Sequence, residues 1–434
     1  TGVTDRSDSV PSLVERTEEV LAPVLAYRSP IEVVRGHGTS VTTADGREYL
    51  DFTTGIACIN LGHNHPDLVA AVHEQVDRLW HAGWATYRYS PIVDAAERLV
   101  SITPDRIAQI LFVNSGAEAV EAAVKLARKS SGRQGIMAFQ GGFHGRTMGS
   151  VSYSTSAAKY RQGYHPLVPS VFVTAFPHPY EWKLSQEDAD ARALDELHRK
   201  LKYEVTPGEL AAFLIEPLQG EGGYYPASPD FLAEIRRIAD EHGILVIADE
   251  VQSGFGRTGE WFAAQVLGLE PDILVMGKAI ANGLPLAAIG ASKATFADWA
   301  PGSHGSTFGG NPVSTVACAA TVDALTGVVP GVGKRSDHAF ARFRELAQRH
   351  PTIGDVRGLG LMIGVELIDG DGRPDANAYQ AVAGHARDAG LLILPCGPDA
   401  NVIRFIPPLN VSIEDLDAGI DMLAAGLAAH EAAS

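Results

Sequence analysis

The sequence predicts an α/β protein: a large unit with a mostly parallel central sheet covered by helices, plus a smaller α+β unit built from both termini. Three observations predict it. Through the middle of the chain, short apolar β-rich runs alternate with helically periodic segments. Residues 29–52 look like a small antiparallel meander. The C-terminal part returns to mixed strands and then runs as a helix to its end.

The meander SPIEVVRGHGTSVTTADGREYLDF carries an Asp45-Gly46 turn signal. After it, IAQILFVNSG (107–116), QGIMAFQGG (134–142), SVFVTAF (170–176), LAAFLIEP (210–217), ILVIADEV (244–251) and DILVMGK (272–278) read as buried strands. Between them, EAVEAAVKLARKS and PDFLAEIRRIADEHG read as amphipathic helices. The second starts at Ser228 ahead of Pro229 and stops at Gly243. Such alternation implies parallel strands with helices on both faces. TIGDVRGLGLMIGVELID, GLLILPCG and NVIRFIPPLN then give the α+β end. The expected division is 1–64 for an N-terminal segment and part of the small domain, 65–325 for the large domain, and 326–434 for the C-terminal small domain. DELHRKLKYEVTPGE carries no recognisable chemistry.

The chain has 434 residues and a formal net charge of -17, which makes nucleic acid and anionic membrane poor partners. An acidic protein that handles anionic substrates must place arginines locally. Cys58, Cys318 and Cys396 are too few and scattered for a disulfide framework or a zinc site, and a cytoplasmic setting fits. No apolar stretch of spanning length lacks charges or breakers. The polar TGVTDRSDSVPS shows no signal-peptide pattern.

The chemistry concentrates at strand ends. Lys278 lies in the apolar run PDILVMGKAIANGLPLAAIGA, where an ammonium is costly to bury. A Schiff base with an aldehyde cofactor removes that charge. Upstream, Asp249 ends a β-branched run, placed to face a pyridinium nitrogen; the plainer reading is a Lys–Asp ion pair. In NSGAEAVEAAVKLAR, the amides of Ser115, Gly116 and Ala117 at a helix N-terminus suit a phosphate, while Asn114 or Ser115 also suits a simple N-cap. GGFHGRT (141–147) offers Phe143 to stack on a flat ring, with His144 and Arg146 beside it, or is a Gly-rich turn with a surface arginine.

EPLQGEGGYYPA (216–227) sets Glu216, Gln219 and Glu221 after a strand, with glycines that let the loop approach a ligand. Arg404 sits inside the apolar NVIRFIPPLNV and needs a carboxylate, from protein or substrate. Glu221 is the partner when the substrate offers none. GSTFGGNP (305–312) offers the Thr307 hydroxyl to a phosphate. His63 and His65 in LGHNHPD are read as local hydrogen-bonders at a helix start rather than metal ligands.

Together these motifs, in this order from about Gly46 to Arg404, resemble the class III (ω-amino acid) pyridoxal-phosphate aminotransferases of fold type I. The resemblance implies pyridoxal 5'-phosphate as cofactor, with Lys278 as its lysine and Asp249 on the ring nitrogen. Val251 and Phe143 would pack on the two ring faces, with His144 beside them, and Gln252 would contact the ring oxygen. Ser115, Gly116 and Ala117 would hold the phosphate. Thr307 would serve the neighbouring subunit's cofactor, which implies a homodimer with shared sites, or a tetramer built from it. Within the class the motifs are most similar to 4-aminobutyrate aminotransferases. Arg146 would then hold the distal carboxylate, Arg404 the α-carboxylate of 2-oxoglutarate or glutamate, and Glu221 would gate Arg404. Ornithine aminotransferases carry Tyr where this chain has Ile56, which argues against ornithine. The partners implied are small amino and oxo acids, in a ping-pong transfer. An acetylornithine-type aminotransferase and an amino-acid racemase or epimerase are the alternatives on the same scaffold; a non-catalytic binding protein of this fold is a third, against which the presence of Lys278 and Asp249 speaks.

Overall fold

A computed structural model describes residues 12–24 and 29–433; the polar stretch 1–11 lies outside the described residues. Fifteen strands form among them. The N-terminal meander is β1 (Val33–His37), β2 (Ser40–Thr43) and β3 (Glu48–Asp51), antiparallel and turning at Gly46, whose φ is 84°. The large sheet comprises β4 (Gln109–Val113), β5 (Gly135–Phe139), β6 (Val171–Thr174), β7 (Leu210–Ile215), β8 (Leu245–Asp249), β9 (Ile273–Met276) and β10 (Ala287–Ala291). The C-terminal strands are β11 (Ile353–Leu359), β12 (Met362–Leu367), β13 (Leu391–Leu392), β14 (Leu394–Cys396) and β15 (Val402–Phe405).

The large sheet has the order β4-β10-β9-β8-β7-β5-β6. Its β9-β8-β7-β5-β6 stretch is parallel throughout. Every residue of β5, β7, β9 and β10 is buried, which is why these segments read as continuous apolar runs rather than alternating ones. The sequence missed β10. The run 271–291 is not one apolar stretch: it folds as β9, a tight turn at Lys278–Ala281, and β10 returning antiparallel to both β9 and β4. Ala287, Ala288, Gly290 and Ala291 are poor strand formers, so no local signal marked it. Small residues are what the position admits, since a Cβ on Gly290 would meet Ile107 Cγ2 at 2.5 Å.

The two ends of the chain meet in a sheet of their own: Leu391 of β13 pairs in parallel with Leu50 of β3. Beside it, β11-β12-β15-β14 form a second antiparallel sheet. The helix Pro229–His242 begins and ends as its sequence suggests. The Ser228 hydroxyl accepts from Phe231 N at 3.0 Å, and Gly243 closes it at φ 63°.

Candidate active site

The carboxyl ends of the parallel strands supply most of the site, as expected for an open α/β sheet. Asp249 ends β8 and lies in register with Val275 of β9, so Lys278 emerges beyond the end of the neighbouring strand. Phe143 and His144 follow β5, Glu216 and Glu221 follow β7, and Gly116 starts the helix after β4. A cavity of about 200 Å³ is lined by Gly116, Ala117, Phe143, His144, Gly145, Glu216, Glu221, Asp249, Val251, Gln252 and Lys278. Segments between residues 116 and 278 thus converge on one pocket.

Lys278 occupies a left-handed backbone conformation, φ 46°, which a residue with a side chain rarely adopts. Such strain is held in place by surrounding structure and clusters at functional sites. Burial pushes the Lys278 pKa below the ordinary lysine value, with Glu221 and Cys58 only partly offsetting it. Cys58 therefore lies within the electrostatic reach of this lysine. Burial raises its thiol pKa, and the Lys278 charge opposes that rise.

Asp249 is 5% exposed and accepts from Val251 N at 3.1 Å. Its other oxygen pairs with His144 Nδ1 at 2.8 Å. Burial disfavours the His144 cation, but the Asp249 hydrogen bond and charge outweigh it and raise the pKa above the ordinary imidazole value. His144 thus both lines the cavity and braces the Asp249 carboxylate. Its sequence position placed it at the site without revealing that partner.

Val251 explains a glycine. A Cβ on Gly116 would meet Val251 Cγ1 at 2.9 Å, so the helix N-terminus reaches the pocket only because residue 116 has no side chain. Ser115 caps that helix by accepting from Glu118 N at 3.2 Å, and its side chain is not among those lining the cavity. The first-turn amides of Gly116 and Ala117 have no intrahelical acceptor, which leaves them for an anion. Gln252 is fixed by Tyr224, whose hydroxyl donates to its Oε1 at 2.8 Å.

The side chain of Arg404, on β15, is 3% exposed. Its Nη2 donates to Glu221 Oε2 at 2.8 Å and to Pro395 O at 3.0 Å, while Nη1 lies 2.8 Å from Glu221 Oε1. One hydrogen bond and one close ion-pair contact therefore join the two groups. Burial opposes the Arg404 cation, but Tyr224 and Glu221 more than offset it and raise its pKa.

Sequence reasoning set Glu216 after a strand without giving it a role, and passed over Tyr224. Glu216 is 7% exposed and accepts from Phe143 N at 2.7 Å and Gly220 N at 2.8 Å, tying the loop that carries Phe143 to the loop that carries Glu221. Burial pushes its carboxyl up to about 7, with His144 and the two backbone donors opposing. Its place at a strand end was the only available signal.

Of the remaining predicted site residues, Arg404, Arg146, Ile56 and Thr307 are not among those lining the cavity. Arg146 is exposed and rests on the Tyr160 ring, 4.7 Å from its centroid. Ile56, 39% exposed, sits in a kinked turn at φ 64°. Thr307 is exposed on the 305–311 loop, whose Ser306 Oγ accepts from Asn114 Nδ2 at 2.9 Å. His63 Nε2 is 2.9 Å from Asp51 Oδ2, and His65 precedes the helix Pro66–Arg78.

A lysine and a buried carboxylate across a small cavity, beside a helix N-terminus, is the donor set that pyridoxal phosphate requires. A family model for aminotransferase class III matches residues 24–427. The chain belongs to the class III aminotransferases. This aminotransferase is 38% identical over 419 residues to the 4-aminobutyrate aminotransferase of Escherichia coli (strain K12), covering 95% of this chain and 96% of that one. It is 34% identical over 421 residues to an alanine/serine racemase of Pyrococcus horikoshii, covering 95% and 89%. In structure it is similar to an omega transaminase from Pseudomonas jessenii in complex with PMP, with a TM-score of 0.90 and 27% identity over 97% of this chain and 98% of that one. The aminotransferase depends on pyridoxal phosphate, and the cavity fits that group. The glycine at 116 leaves room at the helix end, and Asp249 and Lys278 stand at adjacent strand ends.

Proposed function

We propose that this aminotransferase moves an amino group from an ω-amino acid resembling 4-aminobutyrate to 2-oxoglutarate in a ping-pong cycle. The observation that carries the reading is the buried Arg404–Glu221 pair, whose Glu221 shares the cavity lining with Lys278. A substrate with an α-carboxylate takes Arg404 for itself, and one without leaves Arg404 to Glu221. One pocket thereby accepts both kinds of substrate without leaving a buried cation unpaired.

The residue roles are those the family resemblance implies, supported for Gly116, Ala117, Phe143, His144, Asp249, Val251, Gln252 and Lys278 by their place in the cavity lining. Gly116, Ala117 and Ser115 hold the cofactor phosphate, and Thr307 reaches the phosphate in the neighbouring subunit of a homodimer. Phe143 and Val251 cover the ring faces, and Gln252 holds the ring oxygen. Asp249, with His144 behind it, keeps a proton on the ring nitrogen. The bound cofactor supplies an electron sink for cleavage of the substrate C–H bond. Lys278 Nζ would be the base that takes the proton from the substrate carbon. Its depressed pKa leaves more of the amine free to act as a base. Arg146 reads the distal carboxylate, and Ile56 and Cys58 border the substrate. Trp80, Tyr87 and Phe308, 68%, 66% and 61% exposed, support a dimer that covers them. With this reading go a cytoplasmic setting, consistent with three free cysteines, and the division of the chain at 64/65 and 325/326.

The deciding experiment mixes the holoenzyme with single amines in the absence of any oxo acid. An aminotransferase leaves the cofactor in its aminated form, seen by the loss of visible absorbance. A racemase, the reading favoured by the P. horikoshii relative, returns the cofactor unchanged. Separate half-reactions then test the gate. Arg146→Ala should weaken the ω-amino acid half and Arg404→Ala the 2-oxoglutarate half, each by about ten- to a hundredfold for a lost charge-assisted pair. Equal losses in both halves would make the arginines structural.

A further inference from the structure

The Arg146 backbone is fixed on both sides. Gly145 before it has φ 121°, and a Cβ there would meet Ala117 Cβ at 2.7 Å. Thr147 after it is held by Glu121, which accepts from its hydroxyl at 2.6 Å and from Gly149 N at 3.0 Å. That carboxylate is thereby engaged with the helix start Met148–Tyr153. Among the described residues no hydrogen bond or ion pair of the Arg146 guanidinium is found, in a chain of net charge -17. What it meets is aromatic. Arg146 Cζ is 4.7 Å from the Tyr160 ring centroid and 6.0 Å from that of Phe143. Tyr160 stands edge-on to Phe143, centroids 5.4 Å apart at 72°, and also carries Lys159 Nζ at 5.3 Å. A half-buried ring thus joins the pocket-lining Phe143 to an arginine with no acid to hold it.

We propose that Tyr160 is a specificity-determining residue: its ring face holds the Arg146 guanidinium at the pocket mouth and so sets where a substrate's distal carboxylate is read. The proposal rests on Arg146 as the carboxylate contact. A cation on an aromatic face keeps its N–H donors free for a carboxylate, whereas a protein acid would occupy them. Fixing the guanidinium also fixes the preferred distance between the reacting amine and the carboxylate, hence the substrate length.

The test uses holoenzyme with Tyr160→Phe, Tyr160→Leu and Arg146→Ala. The donors are 3-aminopropanoate, 4-aminobutyrate, 5-aminopentanoate and, lacking a carboxylate, butylamine; butanoate binding is measured by calorimetry without turnover. Tyr160→Leu should raise KM for the carboxylate donors and the butanoate Kd by about two- to fivefold, the size of a cation–π contact at such a site. It should leave kcat and butylamine unchanged and flatten the length preference. Tyr160→Phe, which keeps the ring face, should match the parent. If Tyr160→Leu does not fold, Tyr160→Gln carries the same comparison. Parent-like KM and Kd in the ring-less variant, alongside a weakened Arg146→Ala, would overturn the proposal alone. An equal loss with butylamine would overturn it too, as a packing effect. An Arg146→Ala enzyme with normal carboxylate affinity would overturn the reading of Arg146 itself and the proposal with it.

Discussion

Lys278 and Asp249, the proposed catalytic pair, are held by different physics. Lys278 is held in a strained backbone, and burial lowers its pKa. Lys278→Ala should abolish turnover and remove the visible absorbance of the bound cofactor, since the cavity lining contains no second lysine. Asp249 is held by His144 and Val251 N, so Asp249→Asn changes the charge with little change in shape. It should slow proton abstraction by orders of magnitude while cofactor still binds through its phosphate. Stopped-flow measurement of the first half-reaction separates the two outcomes. Glu221→Gln removes the partner of Arg404 and should penalise the ω-amino acid half more than the glutamate half. His144 was legible as a site residue from GGFHGRT, but its carboxylate, 105 residues away, was not.

The helix Gly116–Ser131 works as an element. Its N-terminal amides reach the cavity only if nothing stands between them and Val251. A methyl at residue 116 would lie 2.9 Å from Val251 Cγ1, with no flexible end to yield. Gly116→Ala should therefore weaken cofactor affinity about tenfold or more, read by equilibrium titration of the apoenzyme, with the helix itself intact. The turn after β8 is a second such element. Buried Glu250 accepts from Ala263 N at 3.0 Å and Ala264 N at 2.6 Å, and from the Ser253 hydroxyl. Burial pushes its carboxyl up to about 7 against those donors, from an ordinary value of 4.5. The folded state then keeps a proton that the unfolded chain has lost between these two values. Stability due to this group is present below about pH 4.5 and falls as pH rises toward 7. The whole effect is at most about 3 kcal/mol, at roughly 1.4 kcal/mol per pH unit. Melting temperatures across that window should decline less steeply in Glu250→Gln than in the parent.

Across the whole molecule, one buried side chain joins distant segments. Arg257 is 0% exposed and bonds Asn60 Oδ1 at 2.6 Å, Leu361 O at 3.1 Å and Pro407 O at 2.6 Å. Those hydrogen bonds connect the turn after β8 to both ends of the chain. Burial pushes its pKa down to about 10, and Tyr224 only partly offsets this. Arg257→Met removes three bonds and leaves buried acceptors behind, at about 1–3 kcal/mol each before relaxation. Denaturant titration should show a loss of several kcal/mol. The exposed Trp80, Tyr87 and Phe308 make the same argument between chains. Sedimentation should give a dimer, and a stable, fully active monomer would refute the shared-site role of Thr307.

The sequence by itself determined six of the large sheet's strands, the caps at Ser228 and Gly243, and the motifs around Lys278, Asp249 and Gly116. Each is local: apolar runs of strand length, cap residues and glycine turns act over a few neighbours, so one dimension is enough to record them. The tertiary structure decided the rest. β10 turns back because two flanking strands offer their edges to a segment of small residues with little strand preference of its own. Glu221 meets Arg404 across 183 residues, Glu216 bridges two loops, and Arg146 finds Tyr160 instead of an acid. These contacts have no local signature, because a buried charge selects its partner from whatever the fold brings within a few ångströms, whatever the distance along the chain.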